Sequence, residues 1–86
     1  MKLVKIEWVD SRTPTDGWEH LNKLNDIKAC ECVSVGFLLK SGDDVKALAP
    51  NLADIDEDSD VQASAIIIIP VCSITRMVEL AEELAP

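Results

Sequence analysis

The stretch that decides the fold is AIIIIPVCSITRMVEL, residues 65–80. Residues 66–69 are all isoleucine, and a strand with such a run is covered on both faces or contacts another chain. Pro70 ends the run, because proline has no N–H to donate to a neighbouring strand. A second β-rich run, residues 74–80, follows almost at once. We therefore expect two strands joined by a tight corner, as in a small closed β-barrel.

The remaining sequence predicts three more strands. Alternating apolar and polar residues, typical of a half-buried antiparallel strand, open the chain. Gly36 lies inside the second strand and indicates a sharp bend or a close backbone approach. A Ser-Gly-Asp-Asp turn, residues 41–44, then leads into the third strand. The five predicted strands cover residues 2–9, 32–40, 45–49, 62–69 and 74–80.

One short helix is predicted between the first and second strands. Thr13 can cap its N-terminus, with Pro14 in the first helical position. Its apolar edge consists of Trp18, Leu21 and Leu24. We expect it to end at residues 25–26 and to be held to the barrel by packing of Trp18 against Trp8.

Length and charge restrict the class of protein. The 86 residues are enough for one domain, residues 1–86, with a modest core. The low aromatic content, 3%, predicts an aliphatic core and leaves few rings on which bases could stack. A net charge of −8 opposes a phosphate backbone and therefore a DNA partner, whereas it suits a basic protein partner.

The acidic segment at residues 52–60 is predicted to be an exposed loop. Asp54, Asp56 and Asp58 alternate as in a calcium loop. That motif also requires a central glycine and a final glutamate, and Ser59 and Ala65 occupy those positions. We therefore expect no calcium site here, and no metal or cofactor elsewhere.

The three cysteines are Cys30, Cys32 and Cys72. An odd number, without a secretory signal, predicts a reducing, cytoplasmic location. On a strand, Cys30 and Cys32 would point to the same face. A zinc site there would need two more ligands, for which His20 and Cys72 are the candidates, so we expect ordinary packed or half-exposed thiols. No apolar stretch is long enough to span a membrane.

Catalytic motifs are absent from the sequence. His20 is the single histidine, and it lies in the predicted helix, where a packing or surface role is more common than catalysis. No Ser-His-Asp order, phosphate-binding loop or zinc-hydrolase motif is present. We therefore predict that the protein is not an enzyme.

Two segments resemble the motifs of Sm-like (LSm/Hfq-type) proteins. Residues 33–48 resemble the first Sm motif, in which a strand passes a glycine and turns through an Asp-containing loop. Residues 65–80 resemble the second, in which an aliphatic strand ends in a short turn and a final strand. The resemblance implies a mainly β fold with one short helix. It would be a five-stranded SH3-like/Sm-like small barrel, with the helix between strands one and two.

The chain also resembles short uncharacterised proteins of tailed bacteriophages. That resemblance rests on Trp8-x-Asp10-Ser11, Gly17-Trp18, residues 32–36 and residues 42–51. It implies a phage or prophage origin and does not specify a function.

The Sm-like resemblance implies a homo-oligomeric ring, in which the fourth strand of one subunit pairs with the fifth of the next. The candidate interface residues are Ile66, Ile67, Ile68, Ile69, Arg76 and Val78. It also implies RNA binding, for which the candidate loop residues are Ser41, Asp43, Asp44 and Cys72. Residues 70–72, Pro-Val-Cys, stand where the family commonly has Arg-Gly, so this RNA-contacting feature is missing.

Two functions follow as expectations. The first is a non-enzymatic oligomeric interaction module, an Sm-like ring with RNA as a candidate partner. The alternative is an acidic phage accessory protein that binds a host protein through its acidic surface, with Asp54, Asp56 and Asp58 as the residues to test.

Overall fold

The computed structural model describes residues 1–14, 16–24, 27–56 and 60–82. These residues form a mainly β structure, as the sequence predicts, with two 3₁₀ turns at Leu21–Lys23 and Val71–Ser73. The strands are β1 (Leu3–Asp10), β2 (Cys30–Ser41), β3 (Val45–Ala49), β4 (Asn51–Ala53), β5 (Gln62–Ser64), β6 (Ile67–Pro70) and β7 (Ile74–Leu80).

Five of the strands form one sheet in the order β6-β3-β2-β1-β7. Every neighbouring pair in this sheet is antiparallel. β4 and β5 pair with each other in a separate two-stranded hairpin. The sheet therefore places β6 and β7 at its two outer positions.

The core lies against one face of the five-stranded sheet and is aliphatic, as predicted. Val4 and Ile6 alternate with polar residues along β1, and both are buried because they share a face with the core residues of the other strands. The central cluster consists of Val4, Ile6, Leu48 and Ile69. Trp8, Leu38, Ile67 and Ile74 are partly buried against it.

Gly36 marks the place where β2 changes partners. β2 pairs with β1 up to Phe37 and with β3 from Phe37 onward. A Cβ atom at Gly36 would lie 2.8 Å from the carbonyl oxygen of Ala49, closer than real Cβ contacts. The predicted close backbone approach is therefore confirmed, and the missing side chain permits it.

The predicted helix is absent. In the described part of residues 13–24, the chain forms bends and the single 3₁₀ turn at Leu21–Lys23, which buries none of its residues. Trp18 and Leu21, two residues of the expected apolar edge, are 103% and 81% exposed. A helix this short is marginal in water without packing, and Gly17 weakens it further. The predicted end of the helix, residues 25–26, lies outside the described residues.

The predicted closed barrel is also wrong. Within the described residues, β6 pairs only with β3, and β7 pairs only with β1, so the sheet has two edges. Pro70 has no N–H to offer, and the next N–H, that of Val71, donates to the carbonyl oxygen of Asp44 at 2.8 Å. The corner between β6 and β7 is thereby attached to the β2–β3 turn instead of closing a hairpin.

The single strand predicted at residues 62–69 is two strands. Ala65 has a φ of 60°, in the left-handed region, and it separates β5 from β6. β5 then pairs with β4, of which residues 52–53 were predicted to be part of the exposed loop. Left-handed backbone at a non-glycine residue has no clear sequence signal, which explains why this break was missed.

Candidate functional site

The isoleucine run is divided between the core and the surface. Ile69 is fully buried, Ile67 is half-buried, and Ile66 and Ile68 are 54% and 63% exposed. The register explains the division of the β6 residues, because Ile67 pairs with the core residue Leu48, whereas Ile68 pairs with Ala47 on the opposite face. The chain itself therefore covers only one face of this run. The second option, contact with another chain, remains open for Ile66 and Ile68.

The candidate interface residues of β7 lie at the other edge of the sheet. Arg76 is exposed, and its Nη1 lies 3.6 Å from Oε2 of Glu7, its neighbour across the β1–β7 pair. Val78 is half-buried opposite Lys5. Arg76 therefore already has an acidic neighbour within its own chain, and an exposed pair of this kind contributes little to stability.

The two turns proposed for RNA contact are brought together at one end of the sheet. The hydrogen bond from Val71 N–H to Asp44 O, 2.8 Å long, joins the β2–β3 turn to the 3₁₀ turn that contains Cys72. Asp43, Asp44 and Cys72 are all exposed at this junction. The resemblance alone selected this group, and the structure places Asp43, Asp44 and Cys72 in adjoining turns, with Ser41 at the end of β2.

The charges at this junction do not suit a phosphate group. Lys46 is the nearby cation, and its Nζ donates to Ser41 Oγ at 2.7 Å and to Gly42 O at 3.1 Å. The ammonium group is therefore used to hold the turn, while Asp43 and Asp44 add negative charge. Such a surface repels a phosphate backbone.

Cys30 and Cys32 lie closer together than the sequence indicates. Their Sγ atoms are 3.8 Å apart, and Cys32 Sγ also lies 3.6 Å from the carbonyl oxygen of Cys30. The pKa of the Cys32 thiol is raised by local desolvation, by its hydrogen bond to and electrostatic interaction with Cys30, and by the negative charge of Asp10. Alternation shows from sequence that these cysteines share a face, but not that the sulfur atoms touch.

The acidic hairpin β4–β5 carries part of the predicted acidic loop. Asp54 has a φ of 56°, and its Oδ2 accepts a hydrogen bond of 2.7 Å from Gln62 Nε2. Asp56 is exposed, and Asp58 lies outside the described residues. A cleft of about 290 Å³ lies beside the hairpin. It is lined by Met1, Phe37, Leu52, Ile55 and Val61.

The two tryptophans do not pack together, so that prediction is wrong. Trp8 is half-buried on β1, and its Nε1–H donates to Ser34 Oγ at 3.0 Å. Trp18 is fully exposed on the segment between β1 and β2. His20 is exposed just before the 3₁₀ turn.

Comparisons with protein-family models, with curated proteins and with solved structures find no match to this chain. The Sm-like and bacteriophage resemblances therefore stay predictions. In the described part of the chain, no group of three or more His, Cys, Asp or Glu side chains is arranged to hold a metal ion. Among the same residues, no helix has the length and apolar character needed to cross a membrane.

Proposed function

We propose that the protein is a non-enzymatic interaction module that assembles into a homo-oligomer. In this assembly β6 of one copy pairs along β7 of the next. The observation that carries the proposal is Ile68, a β-branched residue that is 63% exposed on an outer strand of the sheet.

Both outer strands offer backbone groups to a neighbour. In the described structure each of them has a single partner strand, so one side of β6 and one side of β7 have no strand beside them. Unpaired strand edges readily pair with another chain. Because the contact joins two different strands, it can repeat from copy to copy, and it produces a ring when the rotation between copies closes.

The distribution of apolar residues supports assembly. Among the described residues, six hydrophobic residues are buried, whereas thirteen large hydrophobic side chains are exposed. A small domain with so small a core gains stability from burial against further copies. Ile68 lies in the edge strand β6, and Ile66 lies directly before it. Pairing of β6 with another copy would bury both side chains.

RNA binding, which the Sm-like resemblance implies, is not part of this proposal. The turns that would contact RNA carry Asp43 and Asp44, and their lysine, Lys46, is held by Ser41 and Gly42. The alternative function, binding of a basic host protein, also stays a prediction. The β4–β5 hairpin, with its exposed Asp56 and adjoining apolar cleft, is the surface on which to test it.

The test is the absolute mass in solution, measured by light scattering over a range of concentrations. We expect a stable multiple of the 9.4 kDa chain for the wild-type protein. Ile68→Lys should shift the mass to that of the monomer, because it places a charge at the proposed contact and leaves the core untouched. A wild-type monomer at tens of micromolar would contradict the proposal.

Val33→Lys is the matched control. Val33 is also β-branched and 63% exposed, but it lies on β2 rather than on an outer strand. We expect this variant to keep the wild-type mass. Equal loss of assembly in both variants would show that general surface charge, and not the β6 edge, decides the mass.

A further inference from the structure

The sulfur atoms of Cys30 and Cys32 are turned toward each other on one face of β2. Strand geometry places the Cα atoms of such residues about 6.6 Å apart. The Sγ atoms are nevertheless only 3.8 Å apart. Both side chains therefore adopt rotamers that converge, so that the two thiols act as a pair.

This separation matches a metal-binding geometry. Two thiolates bound to one tetrahedral zinc ion at about 2.3 Å each have sulfur atoms about 3.8 Å apart. A cation could therefore bind both sulfurs without movement of the strand. Thiolates select soft, thiophilic cations over hard ones such as magnesium or calcium.

The surroundings keep this pair accessible. Cys30 and Cys32 are both half-buried, and Cys30 begins β2, at the end of the sheet that leads into the segment between β1 and β2. Asp10 is the cross-strand partner of Cys30, and its carboxylate adds negative charge near the thiols. Both thiols are thus partly exposed, and the Asp10 carboxylate attracts a cation to them.

We propose that Cys30 and Cys32 form an open two-thiolate site for a thiophilic d¹⁰ cation of the zinc class, with water or an external ligand in the remaining positions. Each thiol releases its proton as its sulfur binds the cation, and no electron is transferred. With only two protein ligands, the site is suited to holding the ion reversibly rather than to stabilising the fold.

The test uses Cd²⁺ as the probe, added under anaerobic conditions to the reduced full-length protein. We expect one equivalent of Cd²⁺ to produce thiolate-to-metal ultraviolet absorption. In a Trp18→Phe background, which leaves Trp8 as the single tryptophan, the same equivalent should quench its fluorescence. Trp8 reports on the site because it is the cross-strand partner of Cys32.

Three variants identify which cysteines bind Cd²⁺. Cys30→Ser and Cys32→Ser should each weaken Cd²⁺ binding by about tenfold or more, since loss even of an outer-shell partner of a metal site costs that much. Cys72→Ser is the matched control, because Cys72 is exposed in the turn between β6 and β7 and should not contribute.

A second measurement needs no substitution. In the wild-type protein, one equivalent of Cd²⁺ should protect Cys30 and Cys32 from alkylation while Cys72 stays reactive. Absorption that survives in both single variants, absorption lost in Cys72→Ser, or equal protection of all three cysteines would overturn the proposal.

Discussion

The two tryptophans lie in regions that differ in burial. Trp8 belongs to the sheet, where it is half-buried against the core and hydrogen-bonded to Ser34. Trp18 belongs to the segment between β1 and β2, residues 11–29, and it is fully exposed. The Cα radius of gyration, 17.5 Å, exceeds the value of about 12 Å for a compact domain of this length. The chain is therefore more extended than a compact domain of this length.

The comparison shows that apolar content alone does not bury a residue. Ile27 and Leu21 are as hydrophobic as the core residues, yet they are 54% and 81% exposed. Ile6 is buried because it lies on the core face of β1, between β2 and β7, where strand pairing sets it opposite Ser34 and Met77. A place in a paired strand and the face of the sheet together determine which apolar residues form the core, since Val33 and Ile68 also lie in paired strands and are exposed.

The largest expected effect is the removal of a core side chain. Ile6→Ala should lower the free energy of unfolding by about 2–5 kcal/mol, because it leaves a cavity in a fully buried site. Leu21→Ala, in the segment, should change it by less than about 0.5 kcal/mol. Urea denaturation of both variants measures the difference, and similar losses would mean that the segment packs on the sheet in solution.

A smaller effect is expected at the place where β2 changes partners. Gly36→Ala should cost about 1–3 kcal/mol, because its Cβ would overlap the backbone of Ala49, which cannot move without disturbing β3. Gly42→Ala should cost less, since its Cβ would lie 3.3 Å from Val45 O. The order of the two thermal midpoints checks this, and a reversed order would contradict the close approach.

Sequence patterns predicted the strands better than they predicted the rest of the fold. Alternation identified β1, and the hairpin turn at residues 41–44 identified β2 and β3, because period and turn chemistry are local properties. The prediction of a helix was wrong because its apolar edge has nothing to pack against. The prediction of a closed barrel was wrong because closure depends on pairing between strands far apart in sequence, and in the described structure β6 and β7 each pair with one strand.

For the candidate site too, local patterns predicted some features, and other features depend on long-range structure. The sequence indicated that the isoleucine run at residues 66–69 is either covered on both faces or in contact with another chain, but it could not show that Ile69 lies in the core while Ile68 is exposed. That assignment requires the register of β6 against β3. The contact between Cys30 and Cys32 likewise depends on side-chain rotamers, for which spacing gives no signal.

The smallest effect, and the sharpest test of the comparison, concerns the hydrogen bond that distinguishes the two tryptophans. Trp8→Phe keeps a ring against the core and removes the donor to Ser34. Loss of the hydrogen bond should lower the free energy of unfolding by about 1 kcal/mol, in addition to the effect of the smaller ring. A double-mutant cycle with Ser34→Ala isolates this contribution. Trp18→Phe is the control and should leave stability unchanged within about 0.5 kcal/mol. A coupling energy of zero between Trp8 and Ser34 would remove the hydrogen bond as a reason for their difference. The packing of Trp8 against the core cluster would then account for its difference from Trp18.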